Sequence, residues 1–321
     1  MRPGPALGVL AGALAVAVVV TTPWHPLGAG VPVPRPDPAL DFTPAQLARA
    51  QAFHAQVQPW RVASTVLGVG VPVLLGVTAL GARLVDGLGR RLGTGWWWPV
   101  LAGSVTLTAV TRLVTVPLDA QVERVARRFG LSTQSWAAWL ADAGKEWALT
   151  TGILLVVATI FYAVSRASPR HWWAWLSGVA AAVVVLGSFV YPVVVEPVFT
   201  SFRPLGPGPL RTELLAMADR DGLPVRGVLV ADASRRTTAF NAYVSGFGAS
   251  RRIVIYDTLL EQGAPAQVRL VVAHELGHAA RHDVLTETLL GAGGAAAMVP
   301  LLALALQWTP LTRRAGLHPA D

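Results

Sequence analysis

The sequence predicts a mostly α-helical, multi-pass membrane protein: a bundle of transmembrane helices with a small α+β domain between the fifth and sixth spans. Two observations carry this. Of 321 residues, 53% are hydrophobic and only 14% are charged, against about 25% charged in an ordinary soluble domain. The deficit is also uneven. It comes from long apolar runs of bilayer-crossing length, interrupted by one polar stretch at 196–283.

The elements follow in order. Arg2 precedes an apolar run from about Pro5 to Thr22, which reads as a retained first span rather than a signal h-region because further spans lie behind it. A proline-rich linker, Val31 to Pro38, is expected to be extended. Thr43 to Trp60 reads as a polar-faced helix, N-capped at Thr43 with Pro44 in its first position. Further spans are expected at about Val62–Ala82, Trp96–Leu118, Trp147–Ser165 and Trp172–Val195, so that residues 1–195 form a five-helix membrane domain. Trp96–Trp98 and Trp172, Trp173 and Trp175 open two of these runs, as interfacial aromatic belts do. Residues 284–321 supply a sixth span, about Val284–Trp308, and a short tail.

Within 196–283, Leu210–Asp221 reads as an amphipathic helix ending at Gly222. Val225–Ala231, Phe240–Ser245 and Arg252–Tyr256 read as strands, the last two joined through Gly246 and Gly248. Thr258 and Glu261 fit a capping box. Pro265 opens a helix expected to run to about His282.

A net charge of +8 invites a nucleic-acid reading. The arginines cluster at the ends of apolar runs, where they meet headgroups, and no basic stripe is interleaved with stacking aromatics, so nucleic acid is rejected as a partner and the lipid bilayer retained. The chain has no cysteine, which excludes disulfides, thiolate metal sites and a thiol nucleophile. Charge does not decide orientation: the larger basic sum lies on the side of the polar stretch, but the short loops with Arg83, Arg90, Arg91, Arg166 and Arg170 argue the other way. Arg112, inside the third span, either lines a polar chamber or snorkels to the near interface. It lies about two turns from the span's end, which favours snorkelling.

The chemistry sits in His274-Glu-Leu-Gly-His278. On a helix the two histidines stand on one face, a turn apart, so that both imidazoles can bind one Zn²⁺. Glu275 then lies where it can accept a proton from a water, as the general base of a metal-assisted hydrolysis. The preceding Leu270–Ala273 is apolar, as a buried helix needs, and Gly277 leaves room for a neighbouring segment. Zinc needs a third protein ligand. His282 continues the ladder, but residues eight apart are about 12 Å apart on a straight helix, so His282 is a candidate to stand behind a ligand histidine or at the membrane interface rather than to bind the metal. Asp283 and Glu287 lie too far along for the same reason, unless the chain bends back. Asn241, Ala242 and Tyr243 are candidates for an edge strand that holds an extended peptide substrate.

These residues resemble the zinc-dependent CAAX prenyl proteases. The resemblance rests on Asp232–Thr237, Asn241–Gly248, Arg252–Leu260 and the H-E-x-x-H motif. It extends to Phe129–Ser135 with Trp139, Asp142 and Lys145, and to Pro192–Phe199 with Pro204 and Leu205. It implies an integral-membrane peptidase with a thermolysin-like (gluzincin) core between spans five and six, set against a membrane chamber of seven helices. It implies one Zn²⁺ per chain held by His274 and His278, substrate held along Asn241–Tyr243, and a peptide or membrane-protein substrate, lipidated in some members. The implied location is a bacterial cell membrane with the catalytic domain facing the cytoplasm. The family's third zinc ligand is a Glu in an E-x-x-x-D-type motif after a seventh span. These 321 residues contain neither, so the chain is read as a truncated piece or a short form. A catalytically incomplete scaffold or sensor is the alternative. A site-2-type intramembrane protease is a lesser one, because the motif follows a polar region with strands rather than sitting inside a span.

Overall fold

The computed structural model describes residues 2–24, 37–93 and 95–317. Among these, six helices are long and apolar enough to cross a membrane: α1 (Pro3–Thr21), α3 (Pro44–Val77), α5 (Trp97–Arg128), α6 (Trp136–Ala167), the segment Trp172–Phe199, and α12 (Asp283–Gln307). The protein is an integral membrane protein of mostly helical fold. Short α2 (Pro38–Asp41) precedes α3, and most of the expected proline-rich linker lies outside the described residues.

Several helices run past the apolar windows that announced them, because hydropathy marks where a chain is greasy rather than where its hydrogen bonding stops. The polar helix at Thr43–Trp60 and the second span are one continuous α3, opened by a reciprocal capping box in which Gln46 N–H donates to Thr43 Oγ1 (3.3 Å) and Thr43 N–H to Gln46 Oε1 (2.8 Å). It ends at Val77 rather than near Ala82, where the extended Thr78 hands over to α4 (Ala79–Leu92). Helix α5 continues two turns and more past Leu118, and α6 starts eleven residues before Trp147, at a cap in which Ala138 N–H donates to Ser135 Oγ (3.1 Å). These extensions carry charge: Asp119, Glu123 and Arg127 on α5, and Asp142, Lys145 and Glu146 on α6. After α7 (Trp172–Val190) the chain passes through a π-helical turn, Tyr191–Val195, into the short α8 (Glu196–Phe199).

The bundle is joined by small residues and interhelical hydrogen bonds, the usual means where lipid gives no hydrophobic drive to associate. Helix α12 packs against both α7 and α1. A Cβ on its Gly293 would stand 3.4 Å from Leu14 of α1, and one on Gly291 3.6 Å from Val184 of α7. Ser188 and Thr288 share a 3.0 Å hydrogen bond across the α7–α12 contact. Ser64 of α3 donates to Asp119 of α5 (2.6 Å), and Thr108 of α5 meets Thr151 of α6 (2.9 Å).

The polar stretch folds as a four-stranded sheet in the order β1-β2-β4-β3, with β1 (Phe202–Pro204), β2 (Val228–Ala231), β3 (Ala242–Ser245) and β4 (Arg252–Tyr256). β2 and β4 run parallel at the centre, while β1 and β3 pair antiparallel at the edges. The expected strand Arg252–Tyr256 is present at its expected bounds and the other two in shorter form; β1 has no counterpart in the sequence reading, since three residues ending in proline show no period. Helices α9 (Pro209–Arg220), α10 (Asp257–Gln262) and α11 (Pro265–Ala280) complete the domain, and α13 (Thr309–Arg314) follows α12. Thr258 is not the cap of α10: the helix begins one residue earlier, at Asp257, whose carboxylate accepts from Thr258 N–H (2.8 Å) while Thr258 Oγ1 donates to Ala239 O. The domain core joins Leu214 and Ala218 of α9, Ile253 and Ile255 of β4, Leu259 of α10, and Val268, Val272 and Leu276 of α11. Ile255 is fully buried on the central strand, and deleting its branched side chain leaves a cavity costing about 2–5 kcal/mol. Ile255→Ala is therefore expected to lower the thermal midpoint of the detergent-solubilised chain by several degrees; an unchanged midpoint would remove β4 from the centre of the domain.

Candidate active site

The rotation of α11 follows from which of its residues are buried. Val268, Val272 and Leu276, four apart, face the core and are at most 2% exposed. Leu270, expected to be buried with its apolar neighbours, is 72% exposed, because burial follows the helical period rather than the local hydropathy. His274 and His278, two residues out of step with the buried row, therefore turn away from the core. His274 is exposed, while Glu275 and His278 are half-buried.

The two imidazoles converge. Their Nε2 atoms stand 3.1 Å apart, with rings nearly perpendicular at 89°. Two nitrogens on one tetrahedral Zn²⁺ with bonds of about 2.0–2.1 Å lie about 3.3 Å apart, so the pair fits the ion that the motif implies. Glu275 is three residues before His278 and shares its side of the helix. Among the described residues no cluster of three His, Asp or Glu side chains forms a complete metal-binding group. Gly277 faces open space rather than a closely packed segment.

The structure also shows what stands behind the pair. His278 Nδ1 lies 2.6 Å from Asp283 Oδ2, and Arg281 Nη2 donates to the same oxygen at 2.8 Å. Helix α11 stops at Ala280, and the chain bends back through His282, whose φ is +57°. Asp283 thus stands behind His278, while His282 itself is exposed at the bend. The signal that could have found Asp283 is weak, since a left-handed histidine has no pattern in sequence.

Strand β3 flanks α11. It pairs with β4 on one side, and among the described strands none pairs with its other edge. Tyr256 N–H donates to Asn241 O (3.0 Å). By the alternation of a strand, the peptide groups of Ala242 and Val244 then point outward along that free edge. The side chain of Ala242 is buried in the core. Tyr243 points to the opposite face, where its hydroxyl donates to Glu196. Burial, then that carboxylate, pushes the Tyr243 phenol well above its ordinary value, so it remains a donor. Glu196 also accepts from Arg252 Nη2 (3.3 Å), which reaches Pro192 O at 2.7 Å as well. Tyr243 thus ties the edge strand to the end of the fifth span.

A second junction joins motifs far apart in sequence. Arg236 Nε donates to Asp142 (2.9 Å), Arg236 Nη1 and Arg235 Nη2 donate to Phe199 O, and Thr133 N–H donates to Arg236 O (3.1 Å). Thr237 Oγ1 reaches Leu131 O at 2.9 Å. Beside this junction lies a cavity of about 710 Å³ lined by Arg61, Arg112, Asp119, Glu123, Asp142, Glu146 and Arg236 among others, next to one of about 450 Å³ that shares Arg112, Asp119 and Glu146. Arg112 lines both, and its guanidinium pairs with Asp119 (3.0 Å) and Glu146 (3.2 Å). The motif histidines are not among the residues lining either cavity.

A helical membrane bundle joined to a small sheet domain with a converging H-E-x-x-H pair defines a membrane-embedded protein of the H-E-x-x-H class. Residues 39–201 match the family model described as CAAX prenyl protease N-terminal, five membrane helices, and residues 206–318 match peptidase family M48. The chain belongs to this CAAX prenyl protease family. It is 30% identical over 251 residues to an uncharacterized metalloprotease, YhfN, of Bacillus subtilis, covering 75% of this chain and 57% of that protein. It is 29% identical over 181 residues to CAAX prenyl protease 1 of Saccharomyces cerevisiae, covering 56% of this chain and 40% of that one. The chain thus spans about half the length of these curated relatives. The crystal structure of S. mikatae Ste24p superposes with a TM-score of 0.71 at 19% identity, covering 94% of this chain and 72% of that one, and shows the same fold.

One carboxylate here gives a pH test. Burial alone would raise the Asp257 carboxyl. Hydrogen bonds from Ser234 Oγ (2.6 Å), Ser234 N–H and Thr258 N–H (both 2.8 Å) outweigh burial and hold it below the ordinary range. A depressed folded value contributes stability that is fully present above the unfolded carboxyl, about 3.9, and is lost as pH falls through the lower folded value. Asp257→Asn should lower the thermal midpoint at pH 7, and the gap to wild type should close below about pH 4. A gap that stays constant down to pH 3 would show that the charge contributes nothing.

Proposed function

We propose that this chain is an integral-membrane zinc metalloendopeptidase that hydrolyses peptide bonds, with His274 and His278 as metal ligands and Glu275 as general base. The observation that carries the reading is the convergence of the two Nε2 atoms at 3.1 Å beside Glu275, on a helix that packs against β3, whose outer edge no described strand pairs. Zn²⁺, when bound, lowers the pKa of water to about 7 and polarises a carbonyl. The protein supplies the rest. The outward peptide groups of Ala242 and Val244 hold an extended substrate as an added strand, and Asn241, exposed at the start of β3, can hydrogen-bond the substrate backbone. Glu275 takes the proton of the attacking water and delivers it to the leaving amine, a role worth about 10²–10⁴ in rate.

The substrate class we infer is a peptide or membrane-protein segment presented at the bilayer, lipidated substrates included. Relatives named CAAX prenyl protease 1 support this. The catalytic domain is assigned to the cytoplasmic face.

The test uses the full chain purified in detergent, with zinc content and cleavage of a peptide library measured together. Glu275→Gln should lose cleavage by at least about 10²-fold while keeping its zinc, and His274→Ala should lose the zinc. Cleavage by Glu275→Gln at the wild-type rate would sink the role of Glu275. A wild-type chain that takes up no zinc at micromolar free metal would instead be a silent member of the family, a scaffold or sensor.

A further inference from the structure

We propose that Asp283 is the positioning residue of the histidine pair: it fixes the tautomer and rotation of His278, and the left-handed turn at His282 exists to bring it there. The proposal deepens the metal-site reading above and rests on it for its purpose, though not for its geometry.

On a straight helix Asp283 could not reach His278. Five residues along, it would lie about 7.5 Å up the axis and about 140° around it. Instead α11 ends at Ala280, with the N–H of Arg281 still bonded to Gly277 O (3.2 Å) and that of His282 to Ala279 O (3.3 Å). His282 then takes φ +57°, the one non-glycine residue with positive φ among those described. Histidine in the left-handed region is uncommon and held there by its surroundings. The payoff of the bend is visible one residue later. Asp283 opens α12 with its Oδ2 only 2.6 Å from His278 Nδ1. Arg281, on the other flank of the bend, donates to the same oxygen at 2.8 Å and keeps the carboxylate from swinging away.

The chemical consequence is a choice of tautomer. An ionised carboxylate only accepts, so His278 must carry its proton on Nδ1 and present a bare lone pair on Nε2. That Nε2 is the atom that faces His274 Nε2. A carboxylate behind a ligand histidine fixes the ring and raises its basicity, and losing such a partner costs about 10–100-fold in metal affinity. Because Asp283 is also the first residue of α12, the same contact fastens the histidine pair to the membrane bundle.

The experiment reads the tautomer without metal. The full chain, ¹⁵N-labelled at histidine, is purified metal-free in detergent, and long-range ¹H–¹⁵N correlation spectra are recorded at mildly alkaline pH. The His278 signals are assigned by their disappearance in His278→Gln. Wild type should show His278 as the Nδ1–H form, and Asp283→Ala should show a mixture of both neutral forms. Co²⁺ titration followed by visible absorbance should then give about 10–100-fold weaker binding for Asp283→Ala, with Asp283→Asn, which keeps the volume and one acceptor oxygen, closer to wild type. Asp283→Asn also serves if the alanine variant does not fold. His278 found as the Nε2–H form in wild type, or unchanged Co²⁺ affinity in both variants, overturns the proposal. A wild-type chain that binds no Co²⁺ but holds the Nδ1–H form refutes the metal reading and leaves the positioning role standing.

Discussion

The burial of one face of α11 is the constraint on which the site depends. Val268, Val272 and Leu276 are buried in one core cluster with residues of β3, β4, α9 and α10, and each aliphatic side chain so buried contributes about 1.5–3 kcal/mol. With that face fixed, the helix has one rotation left. It sends His274 and His278 to the opposite side with their Nε2 atoms converging, and it sets the helix against β3. The placing of the histidine pair, of Glu275 and of β3 beside them thus follows from one packing decision, made by Val268, Val272 and Leu276.

The same economy joins domain to membrane. Glu196, at the end of the π-helical turn that closes the fifth span, gathers Tyr243, Ser245 and Arg252 from the edge and centre of the sheet. Asp142, on the extended first turns of α6, gathers Gln134, Lys145 and Arg236. Both carboxylates are largely sheltered, with side chains 11% and 16% exposed. Charged groups sheltered in this way persist only when paired and hydrogen-bonded. Each is, and each partner set spans two parts of the chain. The helices had to outrun their apolar windows for this to happen, since the charged ends of α5 and α6 form the polar layer on which the sheet domain sits.

Much of the fold was legible because strong periodic signals survive without tertiary context. Six apolar runs, the N-cap at Thr43, and the central strand Arg252–Tyr256 could be read directly. So could the motif, because four-residue spacing on a helix fixes relative direction before any packing is known. What could not be read depended on contacts across the chain. Strand β1 exists because β2 offers it a partner. Arg112 is paired because Asp119 and Glu146 stand beside it on α5 and α6. Asp283 reaches His278 because one histidine adopts a backbone conformation that no local pattern announces.

The central claim is that His274 and His278 hold a single zinc ion, and zinc-edge X-ray absorption on the purified full chain tests it most directly. The account predicts the multiple-scattering signature of imidazole in the first shell, with nitrogen at about 2.0–2.1 Å, in wild type and in Glu275→Gln, and its loss in His274→Ala. A shell of oxygen atoms alone, or a spectrum unchanged by His274→Ala, would contradict it.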